Sequence, residues 1–355
     1  MDFNQLLVES KYTPETVLVA EYIWIDAEYG LRSKSRTLPI INENTYKNVE
    51  KIPTWSYDGS STNQAVTKDS DITIKPVASF TDPFRGFPHI LVLCETYNSD
   101  GEPLPSNHRS WANEIFDIST QEHCPWYGIE QEFFLMTPNG RPIGFPSDGY
   151  PKPQGKYYCG VGANNIFGRE IMDELYQHCI MASIKISGVN AEVANSQWEF
   201  QIGPCSGLEV GDHLWVARYI LNRLAEKYGA VVDYHPKPLE GSWNGSGLHT
   251  NFSTHCMRDK GGIKDIKMAL KKLEMRHEYH MKFYGSENYK RMTGGQETSS
   301  FYKFNWGIRD RSASVRIPPG VAQSGQGYLE DRRPASNADP YLVAGLIYET
   351  VVHND

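Results

Sequence analysis

Alternation of apolar and polar residues marks three strands whose charged or imidazole side chains fall on one side. In Trp126-Tyr-Gly-Ile-Glu-Gln-Glu-Phe-Phe-Leu-Met136 a period of two sets Glu130 and Glu132 on one face. Ile129, Gln131 and Phe133 take the other face. In Gln197-Trp-Glu-Phe-Gln-Ile202 the same alternation opposes Glu199 to Trp198, Phe200 and Ile202. In Gly247-Leu-His-Thr-Asn-Phe252, His249 faces away from Leu248 and Phe252. Further strands are predicted at Val17 to Asp26 and Ile90 to Cys94, with turns at Asp58-Gly59 and Asn98 to Gly101. Apolar residues at three- and four-residue spacing predict helices over 169–183, 212–228 and 263–284. In the last of these Ile266, Ala269, Leu270 and Leu273 share one stripe. The turn-rich stretch from Tyr97 to Ser106 predicts a boundary between a smaller β-rich N-terminal part and a larger one. The class is α+β, with helices packed on the second sheet.

Composition alters little of this picture. The 355 residues are 39% hydrophobic and 22% charged, as in an ordinary globular protein large enough for one big or two medium cores. The formal charge is −8 and no Lys/Arg run is present, which argues against nucleic acid or a membrane surface as partner. Tyr341 to Tyr348 is far too short an apolar run to span a bilayer. Acidic residues at Asp2, Glu9, Glu15 and Glu21 do not suit a secretory signal or transit peptide, so the cytoplasm is expected. Six cysteines (94, 124, 159, 179, 205 and 256) without CxxC spacing read as reduced, mostly buried thiols.

Chemistry enters through the acids. Glu130, Glu132, Glu192, Glu199, His249 and Glu330 each lie in a strand-like segment or in the loop leaving one. Taken singly, each glutamate reads as a surface charge. Carboxylates on one side of otherwise apolar strands are costly unless something cationic meets them. Five carboxylates with one imidazole favour Mg²⁺ or Mn²⁺ over thiolate-bound Zn²⁺, and six ligands exceed what one Mg²⁺ takes. A second cluster holds Arg291, Arg309, Arg311, Arg316, Arg332 and Arg333 with only Lys303 among them, a local bias toward the planar fork that grips phosphate and carboxylate. About half of these suit a solvated ion-pair role instead. Glycine-rich loops at 241–247, 294–295 and 325–328 match neither a Walker loop nor a dinucleotide fingerprint. Gly294-Gly295-Gln296-Glu297 suits the tip of a lid. No G-x-S-x-G elbow is present, and no Cys/His pair stands out.

Ordered motifs then bring in a family. Trp55-Ser-Tyr-Asp-Gly-Ser-Ser-Thr62, Trp126-Tyr-Gly-Ile-Glu-Gln-Glu132, Pro153-Gln-Gly, Tyr157-Tyr-Cys-Gly160, Asn190-Ala-Glu192 and Gln197-Trp-Glu-Phe-Gln201 head the series. Trp243-Asn-Gly, His249-Thr-Asn, Arg291-Met-Thr-Gly, Glu297-Thr, Arg311-Ser-Ala-Ser-Val-Arg316 and Glu330-Asp-Arg-Arg-Pro334 complete it. Together they resemble the eukaryotic-type glutamine synthetases, from about Ala20 to about Glu349. The resemblance implies an N-terminal β-grasp domain (1–100) and a catalytic domain (101–355) with a curved antiparallel sheet and packed helices. It also implies ATP-dependent ligation of ammonia to the γ-carboxylate of L-glutamate through a γ-glutamyl phosphate. Partners would be ATP, glutamate, ammonium and further copies of the chain, two pentameric rings forming a decamer with sites between subunits.

Carried over residue by residue, one metal falls to Glu132, Glu192 and Glu199, and another to Glu130, His249 and Glu330. Two or three Mg²⁺ or Mn²⁺ ions per site are implied. Asp58 of a neighbouring copy would bind ammonium and take its proton, and Glu297 would close the lid. Trp243, Asn244, Gly245, Arg291, Arg311 and Arg332 would hold glutamate and the transferred phosphoryl group. Trp126, Glu199, Asn251, Ser253, Arg311, Arg316 and Tyr328 would contact ATP. Gln296, Arg309-Asp310, Pro319, Ala194-Asn195 and Ser242 depart from the family pattern, mostly near the lid and the glutamate pocket. Two other readings are a structural or regulatory homologue and a ligase joining glutamate to an organic amine. The six ligands, Asp58 and Glu297 argue against the first, and the intact Asp58-Gly-Ser-Ser against the second.

Overall fold

The computed structural model describes residues 13–42, 45–116 and 119–353, so Asp2 and Glu9 lie outside the described residues. The chain divides into two compact units, 1–111 with 177–184 and 112–176 with 185–355.

The first unit is built on a five-stranded sheet: β1 (Val17–Ile25), β2 (Leu31–Pro39), β3 (Trp55–Asp58), β4 (Asp71–Thr81) and β5 (Ile90–Tyr97), in the order β2-β1-β5-β4-β3. β1 runs parallel to β5; the other pairs are antiparallel. Leu18, Ala20, Tyr22 and Trp24 alternate along β1 into a core with Ile72, Ile74, Val92 and Cys94. The sheet curls until its two edges meet: Lys34 of β2 donates to the Ser56 carbonyl of β3 at 2.8 Å and stands 3.4 Å over the Trp55 ring. That closure fixes the strand on which Asp58 ends.

The second unit carries β6 (Trp126–Met136), β7 (Ile186–Ala191), β8 (Gln197–Cys205), β9 (Val231–Asp233), β10 (Leu248–Ser253), β11 (Trp306–Ile308), β12 (Val315–Ile317) and β13 (Leu329–Asp331). Their order is β11-β12-β13-β10-β6-β8-β7, with β9 pairing beside β6. All pairs are antiparallel except β11 with β12. Behind the sheet, helix α1 (Gly207–Tyr228) packs on helix α2 (Pro340–Tyr348), where an added Cβ at Gly211 would lie 2.3 Å from the Tyr341 ring. Arg218 of α1, 3% exposed, donates to Gln131 Oε1 at 2.6 and 2.8 Å and to the carbonyls of Ser336 and Ala338. Gln131 is on the inward face of β6, so this buried guanidinium pins the strand from beneath while Glu130 and Glu132 point the other way.

Several boundaries differ from the periodicity. α1 starts at Gly207, five residues before the expected Asp212, because Ser206 and Glu209 form a capping box. The stripe over 263–284 breaks into helices Ile263–Met275 and His277–Met281 at Arg276 (φ −104, ψ 15), and His277 and His280 then turn inward. The helix at Arg169–Met181 ends two residues before the expected Ser183, which has φ 62. All six cysteines are free, but only Cys94, Cys179 and Cys205 are buried; Cys124, Cys159 and Cys256 are exposed, since their segments lie outside the sheet cores. Among the described residues no helix is long and apolar enough to cross a membrane.

Candidate active site

Strand register draws the acids together. Across one face of the second sheet, Asn190 of β7 pairs with Glu199 of β8, which pairs with Glu132 of β6. The next row holds Gly188, Gln201, Glu130 and His249 on β7, β8, β6 and β10. A third row places Asn251 beside Glu330 of β13, and Glu330 beside Arg316 of β12. Residues scattered over two hundred positions therefore share a patch because neighbouring strands lie about 5 Å apart.

Two groups of potential ligand atoms converge within 4.8 Å: Glu130, His249 and Glu330, and Glu132, Glu199 and His249. His249 Nδ1 stands 3.4 Å from Glu130 Oε2 and 3.8 Å from Glu132 Oε1. Asn251 donates to Glu130 at 3.0 Å, and the Gly247 N–H donates to Glu132 at 2.6 Å. Glu192 follows β7 and stands outside both groups, accepting from Asn190 Nδ2 and the Val193 N–H at 3.0 Å each. Glu330 is gripped by Arg332 Nη1 at 2.7 Å, while Arg316 Nε lies 2.7 Å away without hydrogen-bond alignment.

Electrostatics set the character of this patch. Burial, then repulsion from Glu132, pushes the Glu192 carboxyl up to about 8. Burial and the neighbours Glu130, Glu132 and Glu192 push Glu199 up to about 9. Burial, with Arg332 adding to it, brings His249 down to about 4, so its imidazole is neutral and free to ligate. Oxygen donors that repel one another, joined by a neutral imidazole, fit a hard divalent cation.

The arginines divide by depth. Arg291, Arg332 and Arg333 are buried, Arg316 is half-buried, and Arg309 and Arg311 are exposed. Burial brings Arg291 down to about 10, and its Nη2 donates to the carbonyls of Arg332, Arg333 and Pro334 at 2.8–3.0 Å. Burial opposes charge on Arg332, yet Glu330 holds its pKa above the ordinary value. Arg311 stands in a turn before β12; its carbonyl accepts from Arg332 Nε at 3.1 Å, and its charge acts on the Tyr158 hydroxyl. Arg333 turns to the core and pairs with Asp331 at 2.6 Å.

Glycines make room for this cluster. A Cβ on Gly245 would lie 2.4 Å from the Pro236 carbonyl and 2.5 Å from Arg291 Cγ, and one on Gly247 2.8 Å from His249 Nε2. Trp243 and Asn244 are buried in the same loop, and Asn244 Oδ1 has no hydrogen-bond partner among the described residues. Next to the acids, a cavity of about 500 Å³ is lined by Trp126, Glu130, Asn251, Ser253, Arg258 and Tyr328 among others. Glu199, Arg311 and Arg316 are not in its wall.

Asp58 ends β3 in the first unit, exposed. Its carboxylate accepts from Ser60 N at 3.0 Å, Ser60 Oγ at 2.6 Å and Ser61 Oγ at 2.8 Å, and these bonds hold its pKa below the ordinary value. Glu297 is exposed at φ 59, after Gln296 at φ 47. Arg332 Nη2 donates to its carbonyl at 3.2 Å, and Thr298 Oγ1 donates to those of Gly295 and Arg291. Two successive non-glycine residues in the left-handed region, tied to two buried arginines, mark a strained turn that functional segments favour.

Comparison with known proteins decides the family. Residues 109–277 and 284–353 match the model of the glutamine synthetase catalytic domain. The glutamine synthetase of Neurospora crassa is 54% identical over 333 residues, 94% of this chain and 91% of that protein. That of Colletotrichum gloeosporioides is 51% identical over 348 residues, 98% of this chain and 95% of its own. The chain belongs to the glutamine synthetase family. A cryo-electron microscopy structure of Plasmodium falciparum glutamine synthetase shares the fold, with a TM-score of 0.75 at 18% identity over 99% of this chain and 75% of that one.

Within this glutamine synthetase fold one feature, Arg258, escaped the sequence. Arg258 stacks 4.0 Å from the Trp126 ring and donates to Ser253 Oγ at 2.9 Å and to the Cys124 carbonyl at 2.7 Å, fixing one wall of the cavity. Its position five residues after Ser253 was the available signal. Tyr158, in the Tyr157-Tyr-Cys-Gly160 motif quoted above, is exposed, and its hydroxyl is raised by partial burial and then by the charge of Glu192.

Proposed function

We propose that this chain is a glutamate–ammonia ligase: it joins ammonia to the γ-carboxylate of L-glutamate at the expense of ATP, through a γ-glutamyl phosphate, releasing L-glutamine, ADP and phosphate. Family membership supports the reaction, and the acid patch opening beside the cavity is the observation that carries it. Glu130 belongs to both the cavity wall and one converging triplet, which supports reading that end of the cavity as the seat of a nucleotide's phosphates. Glu130, His249 and Glu330 would hold one Mg²⁺ or Mn²⁺, and Glu132, Glu192 and Glu199 another. When bound, such ions neutralise charge on the phosphoryl group in transfer.

The chain's own residues supply the rest. Trp126, Asn251, Ser253 and Tyr328 would seat the nucleotide in the cavity, with Arg311, Arg316 and Glu199 reaching it from outside that wall. Trp243, Asn244 and Gly245 would hold glutamate, with Arg291 at its carboxylate. Arg311 and Arg332 would meet the transferred phosphoryl oxygens. Asp58 of a neighbouring copy would receive ammonium. Its lowered pKa suits it to hold a cation; Asp58 and Glu297 would accept the protons the nitrogen gives up as ammonia attacks the acyl carbon and phosphate leaves. Glu297, on the strained turn, would close over the acyl phosphate and keep water out. This reading takes 1–100 as a β-grasp domain and 101–355 as the catalytic domain of a cytoplasmic homodecamer.

Phosphate release from ATP, Mg²⁺ and glutamate, followed with and without ammonium, tests the reaction. Release that rises many-fold on adding ammonium and matches glutamine formed is expected. Ammonium-independent release, or none, overturns it.

A further inference from the structure

Two side-chain amides in series bridge two buried carboxylates. Gln201 of β8 shares the face of Glu199, two residues away, and its register partners are Gly188 of β7 and Glu130 of β6. Its Nε2 donates to Glu199 Oε1 and, at 2.8 Å, to Asn190 Oδ1. Asn190 passes the polarity on, donating from Nδ2 to Glu192 Oε1 at 3.0 Å. An amide that accepts through its oxygen has only its NH₂ left to give, so each link fixes the orientation of the next. The chain Glu199–Gln201–Asn190–Glu192 therefore ties together two acids that repel each other.

The space for this relay is specific. A Cβ on Gly188 would lie 2.0 Å from Gln201 Oε1, the free end of a flexible side chain. Alanine there displaces the amide and leaves the backbone in place, since Gly188 is not among the glycines with positive φ. Amides also differ from the arginines that grip Glu330: they donate without adding positive charge, and so do not compete with a cation for the carboxylate.

We infer that Gln201 is a positioning residue which, through Asn190 and in the space left by Gly188, aims the carboxylates of Glu199 and Glu192 at a divalent cation. The inference rests on the reading of those glutamates as metal ligands. Its test is Mn²⁺ binding to the full chain without nucleotide, by titration calorimetry, with unfolding midpoints measured in EDTA. Gln201→Leu and Gly188→Ala are each expected to weaken Mn²⁺ about tenfold or more. The double variant should bind no more weakly than Gln201→Leu alone, because both act on one amide, and each variant should still unfold in one cooperative transition in EDTA, so that the loss of Mn²⁺ is not a loss of fold. Should Gln201→Leu not fold, Gly188→Ala decides alone. Parent-like Mn²⁺ affinity in either single variant overturns the proposal. Glu199→Gln run in parallel separates the two levels. If it loses Mn²⁺ while Gln201→Leu and Gly188→Ala keep it, only the positioning role fails; if it too binds like the parent, the metal reading fails.

Discussion

Glu199 is 7% exposed and shares its patch with Glu130, Glu132 and Glu192, so its charge is disfavoured both by burial and by its neighbours. Removing that charge acts in opposite directions on folding and on chemistry. Glu199→Gln is expected to stabilise the metal-free chain by roughly 1–3 kcal/mol, because the parent must take up a proton at Glu199, or bury its charge, in order to fold. The same change should cut ligase turnover about 100-fold or more and abolish the rise in melting temperature that Mn²⁺ gives the parent. Thermal melts with EDTA and with Mn²⁺, beside a turnover assay, check both signs; a destabilised metal-free variant contradicts the account. At this scale much was legible. Glu130, Glu132 and Glu199 stood out because acids opposite apolar residues on a strand need a partner. From the arginine cluster alone Arg332 and Arg333 could not be told apart; the family resemblance singled out Arg332, and the structure supplies the reason, turning Arg333 into the core.

Strand β13 shows what an element adds. Glu330 and Arg332 alternate onto the site face, while Asp331 and Arg333 turn into the core, each fully buried and paired at 2.6 Å. Arg333 also approaches His277 Nδ1 at 3.3 Å and His280 Nδ1 at 3.2 Å, and Tyr284 donates to Asp331 at 3.0 Å. The core side of the strand thus sets where its site side points. Asp331→Ala strands a buried guanidinium and should cost about 3–5 kcal/mol in urea unfolding. A loss under about 1 kcal/mol would show that the pair does not anchor the strand. Strand existence was readable from alternation at β6, β8 and β10. Three-residue strands such as β11 and β12 were not, because a pattern of two needs more residues than they contain. The break at Arg276 was equally hidden: the apolar stripe continues through it, and the inward turn of His277 and His280 comes from Arg333, distant in sequence.

Across the whole molecule, pH sensitivity follows from buried imidazoles. His280 is fully buried, and burial, then Arg333 and Arg276, keep its pKa well below 6.5. The folded chain therefore refuses a proton that the unfolded chain accepts. Its contribution to stability is complete above about pH 6.5 and lost as pH falls below that value. Comparing the parent with His280→Asn isolates the effect, since the buried acids contribute equally to both. The stability gap between them should narrow by about 1.4 kcal/mol per pH unit below 6.5 and stay constant above it. Urea unfolding at several pH values reads this slope; a gap that does not change with pH contradicts it.

The sequence by itself determined the α+β class, the strands that bear the acids, the hard-cation chemistry of their side chains and, through ordered motifs, the family. Those are local or collective properties of residue type and order, and they survive without knowing what touches what. Tertiary structure alone decided which strands lie side by side, and hence that Glu130 and His249 converge with Glu330. It also decided that Glu192 turns to Asn190, that Arg258 backs Trp126, and that the space beside Gln201 is kept open by Gly188. Strand order and register join residues far apart in the chain, and the periodicity within each segment carries no information about that pairing.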